Sequence, residues 1–111
     1  MLRQAQYDKT ILSIATTLKR ETTRRPALVL CTLKGDDLIL CQITSQKVSD
    51  SYSIVLVNQD FATGSLKRSS YIRPNRIFTA DKSIILYKVG SLKKEKIGEV
   101  IDKVVEILRT K

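Results

Sequence analysis

From Ala27 onward the apolar residues fall in short runs with polar breaks: Ala27 to Leu33 (ALVLCTL), the break Lys34-Gly35-Asp36, then Leu38 to Thr44 (LILCQIT). Aliphatic and β-branched runs of this length on either side of a glycine-containing turn predict an antiparallel hairpin. Tyr52 to Val57 (YSIVLV) predicts a further strand and Asn58 to Gly64 a loop, and strand-like pieces follow at Ser70 to Arg73, Arg76 to Thr79 and Ser83 to Val89. Several runs are apolar without alternation, the pattern of strands in the core of a small closed barrel. Pro26 and Pro74 fall at run edges, where a missing N–H is tolerated.

After Gly90 and Ser91 the spacing of apolar positions changes from strand to helix. Ile97, Val100, Ile101, Val104, Val105 and Leu108 lie on one stripe of an amphipathic helix. Ser91 is the expected N-cap, and Lys103, Arg109 and Lys111 bring positive charge toward the negative end of the helix dipole. The stripe suits packing on the barrel or a dimer surface. The first 22 residues are ambiguous: Ile11, Ile14, Ala15 and Leu18 fit helical spacing, while Thr10 to Thr17 is rich in β-branched residues. Lys19 to Arg25 (KRETTRR) is polar and basic, and is expected to be a loop leading into the first strand.

Composition narrows the chemistry. The chain of 111 residues carries 20 Lys and Arg against 11 Asp and Glu, a formal charge of +9. The basic residues are spread over several segments: Arg3, Lys9, Lys19, Arg20, Arg24 and Arg25, then Lys67, Arg68, Arg73 and Arg76, and finally Lys88, Lys93, Lys94 and Lys96. Such a field concentrates polyanions or acidic proteins at the surface. There is no histidine, which removes imidazole bases and the commonest zinc ligand together. Cys31 and Cys41 are too few for a structural zinc site and read as reduced thiols packed as small hydrophobes. Asp36 and Asp37 are adjacent on a turn and form no acidic metal cluster; no phosphate-cradling glycine loop or nucleophile elbow is present. No metal and no cofactor is expected. The apolar runs are far shorter than the roughly 20 residues of a membrane helix, and no export signal is visible. The expected location is the cytoplasm, with no membrane partner.

Two features could meet in space: the basic segment ending Arg24-Arg25-Pro26 before one strand, and Thr44-Ser45 at the end of the next. An antiparallel hairpin puts Arg25 and Thr44 near the same end. The ordered segments RRPALVL (Arg24 to Leu30), LCQITS (Leu40 to Ser45), Asp60-Phe61 to Gly64-Ser65-Leu66 and SYIRPNRIFTADKS (Ser70 to Ser83) resemble those of PemK/MazF-type toxins. The resemblance covers Arg24 to the C-terminus. It implies an α+β, mainly β fold: a small SH3-like antiparallel β-barrel with a C-terminal amphipathic helix. One toxin-like domain is expected over 1–111, with an atypical segment 1–23, a barrel over 24–90 and a helix over 91–110.

The same resemblance implies a type II toxin that is a metal-independent, sequence-specific endoribonuclease. Its family chemistry is attack of the ribose 2′-hydroxyl on the adjacent phosphate of single-stranded RNA or mRNA. Carried over by position, Arg25 and Thr44 are the catalytic residues. A guanidinium can hold the phosphoryl oxygens through two N–H bonds, and a hydroxyl adds a further donor. Ser45 is a helper, and Arg24, Lys67 and Arg68 are candidate contacts to the RNA backbone. Tyr71 is expected at a core or barrel-edge position, and Asp81 as a structural turn residue. The implied partners are an acidic antitoxin, a second copy of the chain in a homodimer, and operator DNA bound together with the antitoxin. Tyr7 to Thr23 has the length of the family's opening strand and loop, but lacks its glycine–acid pair and its aromatic, proline-containing loop. The alternative, from another class, is a toxin-like module that binds antitoxin or nucleic acid without cleaving it.

Overall fold

The computed structural model describes residues 10–18 and 21–110. Its strands are β1 (Thr10–Leu18), β2 (Glu21–Thr32), β3 (Asp37–Thr44), β4 (Ile54–Leu56), β5 (Phe61–Gly64), β6 (Ser70–Asp81) and β7 (Ile85–Leu92), followed by the helix α1 (Lys94–Arg109). They form one antiparallel sheet in the order β4-β6-β3-β2-β1-β7-β5, curled into a half-barrel with β4 and β5 at its edges. This is the expected mainly β, barrel-like architecture with one C-terminal helix.

The apolar runs lack alternation because both faces of the sheet are covered. In β2, Leu28 packs into one cluster with Ile11, Cys41, Ile43, Ile72 and the helix residues Ile97 and Val100. Its neighbours Ala27 and Val29 pack into a second cluster with Leu12, Ile14, Leu38 and Leu40. All of these except Ile97 are at most 1% exposed. The β2–β3 hairpin turns through Gly35, whose φ of 80° is the left-handed conformation glycine adopts most readily.

Several local expectations are corrected. The ambiguous N-terminal segment forms β1, a central strand between β2 and β7. The expected loop Lys19 to Arg25 instead continues β2 from Glu21, with Arg24 opposite Ala15 and Arg25 opposite Ile14. Pairing gives these backbone groups partners that a loop would leave to water. Residues 19 and 20, like 1–9 and 111, lie outside the described residues. The basic positions Arg3, Lys9, Lys19 and Arg20 are therefore not placed.

Pro26 is inside β2 rather than at its edge, one residue beyond the end of the β3 ladder at Ala27↔Gln42. The pieces Ser70 to Arg73 and Arg76 to Thr79 are one strand, β6. Its register on β3 jumps from Gln42↔Arg73 to Cys41↔Ile77, so Pro74, Asn75 and Arg76 bulge out where no ladder N–H is needed.

Within the expected loop Asn58 to Gly64, Phe61–Gly64 is β5, paired with β7. Gly90 and Ser91 do not end β7. Gly64 (φ 76°) and Gly90 face each other, and a Cβ on either would collide with the carbonyl oxygen of Val89 or Thr63 respectively. Here glycine marks close backbone approach. Ser91 shares a 2.7 Å hydrogen bond with Thr63 and caps nothing. The helix begins at Lys94, and its N-cap residue Lys93 donates its backbone N–H to Asp60 O at 2.8 Å.

Candidate functional site

Three strands build a groove from one row of neighbours. Ser13 of β1 sits opposite Pro26 of β2 and opposite Tyr87 of β7, so the three share one face. Ser13 is the smallest and is 5% exposed. A small residue flanked by two ring-bearing ones leaves a depression. Its volume is about 180 Å³, and Ser13, Arg24, Arg25, Pro26, Leu66, Tyr87 and Val89 line it. Both guanidiniums are on exposed positions of β2, and no lining residue is acidic.

Tyr87 faces this groove because β7 is out of step with β1 over two residues. The register moves from Ile14↔Ile85 to Ser13↔Tyr87, leaving Leu86 as an extra residue, and from Leu12↔Lys88 to Ile11↔Gly90, leaving Val89 as another. Between these bulges the facing of the side chains is reversed. Leu86 and Tyr87 are consecutive yet both about half exposed, at 47% and 52%.

The predicted site residues separate. Arg24 and Arg25 line the groove together. Thr44, the last residue of β3, is not among the groove-lining residues. Thr44 lies two residues past the last β2–β3 pair, Ala27↔Gln42, and Arg25 lies two residues before it on β2, so the two are at the same end of the hairpin. Its Oγ1 accepts from the Gln46 backbone N–H at 3.1 Å, which leaves its own O–H to donate elsewhere. Ser45 is exposed beyond the strand end, and Lys67 and Arg68 are exposed just past Leu66 on the groove wall. Tyr71 is half-buried within β6, opposite Thr44 and Val55. Asp81 accepts from the Ser83 backbone N–H at 2.8 Å, a turn role.

Sequence reasoning missed Ser13 and Tyr87. Their signal lies in the register of β1 on β7, and the bulges break the alternation that would have displayed it. Sequence reasoning also missed the Asp50–Arg73 pair, at 3.3 Å, which ties the loop after Thr44 to β6. Burial raises the Asp50 pKa, but hydrogen bonds from the Tyr52 and Ser53 backbone and from Arg73 outweigh it and hold the carboxyl below its ordinary value. Burial pushes the Cys41 thiol up to about 12, whereas Cys31 is exposed, and both are free thiols. Among the described residues no cluster of three or more Cys, Asp or Glu is arranged to hold a metal ion, and no helix is long and apolar enough to cross a membrane.

The model of the PemK-like, MazF-like toxins of type II toxin–antitoxin systems matches residues 10–108, so the match takes in β1 as well as the segments from Arg24 onward. A comparison with curated proteins found no match. Among solved structures, the chain is similar to Mycobacterium tuberculosis toxin MazF-mt6, with 12% identity over 92% of this chain and 98% of that one and a TM-score of 0.71. It is also similar to a MazE-MazF structure from Deinococcus radiodurans, with 18% identity, 93% and 95% coverage and a TM-score of 0.72. A mycobacterial endoribonuclease in complex with its cognate antitoxin shares 11% identity, with 91% and 92% coverage and a TM-score of 0.70.

Proposed function

The chain belongs to the PemK-like, MazF-like toxins of type II toxin–antitoxin systems, and from that premise we propose that it is a metal-independent endoribonuclease that cuts single-stranded RNA, mRNA in particular, and so halts translation and growth. The observation that carries this reading is the groove in which Arg24 and Arg25 stand beside an aromatic wall with no acidic residue among its lining. In the reaction the 2′-oxygen of the RNA forms a bond to the adjacent phosphorus and the P–O5′ bond breaks. A proton leaves O2′ and one arrives at O5′, giving a cyclic phosphate and a 5′-hydroxyl end.

The nucleophile belongs to the substrate, so the protein's task is to hold developing negative charge. Arg25 does this with a planar, permanently charged donor pair, and Thr44 adds its free O–H from the neighbouring strand. Arg24, Lys67 and Arg68 hold flanking phosphates, and Ser45 assists at the strand end. An acidic antitoxin neutralises the same basic surface, in keeping with the antitoxin complexes of the structural relatives. The exposed Ile101, Val105 and Leu108 of α1 suit a homodimer. The toxin with its antitoxin binds operator DNA, and the protein works in the cytoplasm.

The test is cleavage of a long, weakly structured RNA in EDTA by the wild type and by Arg25→Ala, read by primer extension and end-group analysis. Discrete cuts with 5′-hydroxyl ends that vanish in Arg25→Ala are expected. A folded protein that binds the RNA and leaves it intact would sink the reading. A second reading has its own observation: the engagement of Thr44 Oγ1 with Gln46 and its absence from the groove lining favour a module that binds RNA or antitoxin without cutting. Intact RNA bound with a steep salt dependence is its signature.

A further inference from the structure

We propose that the depression over Ser13 is a subsite for one unpaired nucleobase, with the Tyr87 ring as its stacking platform and Ser13 as its floor. The assignment rests on the RNA reading above and adds to it the residue that holds a base beside the bound phosphate.

Four observations converge. Tyr87 is half exposed and contributes to neither core cluster, so its ring is not needed to fill the interior. Bulges at Leu86 and Val89 turn it toward the groove against the phase of its strand, and bulges commonly re-aim a side chain beside a functional site. The walls beside it, Pro26, Leu66 and Val89, are apolar, while Arg24 and Arg25 lie on the β2 side. An apolar slot next to two guanidiniums matches a nucleotide, whose flat base adjoins an anionic phosphate. Finally, about 180 Å³ is well below the several hundred Å³ of a site for a drug-sized ligand, and suits a single planar group. Every base has a π-face, so the ring supplies affinity, and the polar Ser13 at the floor bears on which base edge is tolerated.

The test uses a short single-stranded RNA, 2′-O-methylated throughout so that it cannot be cut, with 5-iodouridine at each position in turn. Under long-wavelength ultraviolet light one position is expected to crosslink, and mass spectrometry should map the adduct to Tyr87. Losing one base–aromatic stack corresponds to a roughly 5- to 150-fold weaker dissociation constant for Tyr87→Ala by fluorescence anisotropy, with Tyr87→Phe near wild type. Because Tyr87 is at the surface, both variants should melt like the wild type by circular dichroism. The two readings fail differently. Wild type that crosslinks through Tyr87 but cuts no unmodified RNA overturns the ribonuclease and keeps the subsite. Wild type that cuts RNA, with adducts only elsewhere and Tyr87→Ala binding as tightly as wild type, overturns the subsite alone. No binding of any RNA overturns both.

Discussion

Thr44 and Arg25 stand on adjacent strands, but they should fail in different ways when changed. Removing one preorganised donor at a phosphoryl transition state costs about 10²- to 10³-fold in rate. Thr44→Val should therefore slow RNA cleavage by that order, and Thr44→Ser should recover most of it, because only the hydroxyl matters. Arg25→Lys should stay strongly impaired, since an ammonium cannot present two coplanar N–H donors. Single-turnover rates with saturating protein measure both. The two cysteines give a second residue-scale prediction. Only a thiolate attacks a disulfide reagent, and the buried Cys41 thiol is pushed up to about 12 while Cys31 is exposed. Titration with Ellman's reagent at neutral pH should find one fast thiol in the native protein and a second only after denaturation. Arg25 could be located from its place before Pro26, but Tyr87 could not. An aromatic in YKVG reads as an ordinary strand residue until the bulges beside it are known.

At the scale of elements, the hairpin from Ala27 to Thr44 and the terminal helix were legible because hydrophobic period and turn chemistry agree there. Elsewhere two signals conflicted. In Thr10 to Leu18 the apolar spacing favours a helix and the branched residues favour a strand, and pairing to both β2 and β7 decides for the strand. Gly90 reads as a strand breaker, yet it sits inside β7 because β5 passes too close for any side chain. Replacing Gly90 with Ala should lower the melting temperature by at least about 4 °C, since overpacking of this kind costs roughly 1–3 kcal/mol. Gly35→Ala, where nothing lies within 4 Å of the added Cβ, should cost only its left-handed backbone strain, about 1–2 kcal/mol. Two carboxylates, one in the loop after β3 and one at the end of β6, carry an acid response. Asp81 is held below its ordinary value of 3.8 by Ser83 and Lys82, and Asp50 is also lowered. Unfolded carboxyls take up protons first as the pH falls. The stabilisation is thus complete above the unfolded pKa and is lost as the pH drops through the folded value. Thermal melts should be flat near pH 6 and decline below about pH 4, and Asp50→Asn should flatten that decline.

For the whole molecule, a charge of +9 predicts that the proposed RNA binding weakens with salt. Each neutralised phosphate contributes about −0.7 to the slope of log K against log salt on single strands. If Lys67 and Arg68 each hold one phosphate, the double Ala variant should flatten the slope by about 1.4 while leaving the cut positions unchanged. Anisotropy titrations across salt concentrations measure this. The order of the sheet also bears on how the protein is made. Ser13 and Tyr87 come from opposite ends of the chain, and they meet only when β7 docks on β1. A ribosome delivers the N-terminal strands first. Until β7 has emerged, the nascent chain lacks the Tyr87 and Val89 wall of the groove, so the RNA binding proposed above is a property the chain gains only at the last step of sheet assembly.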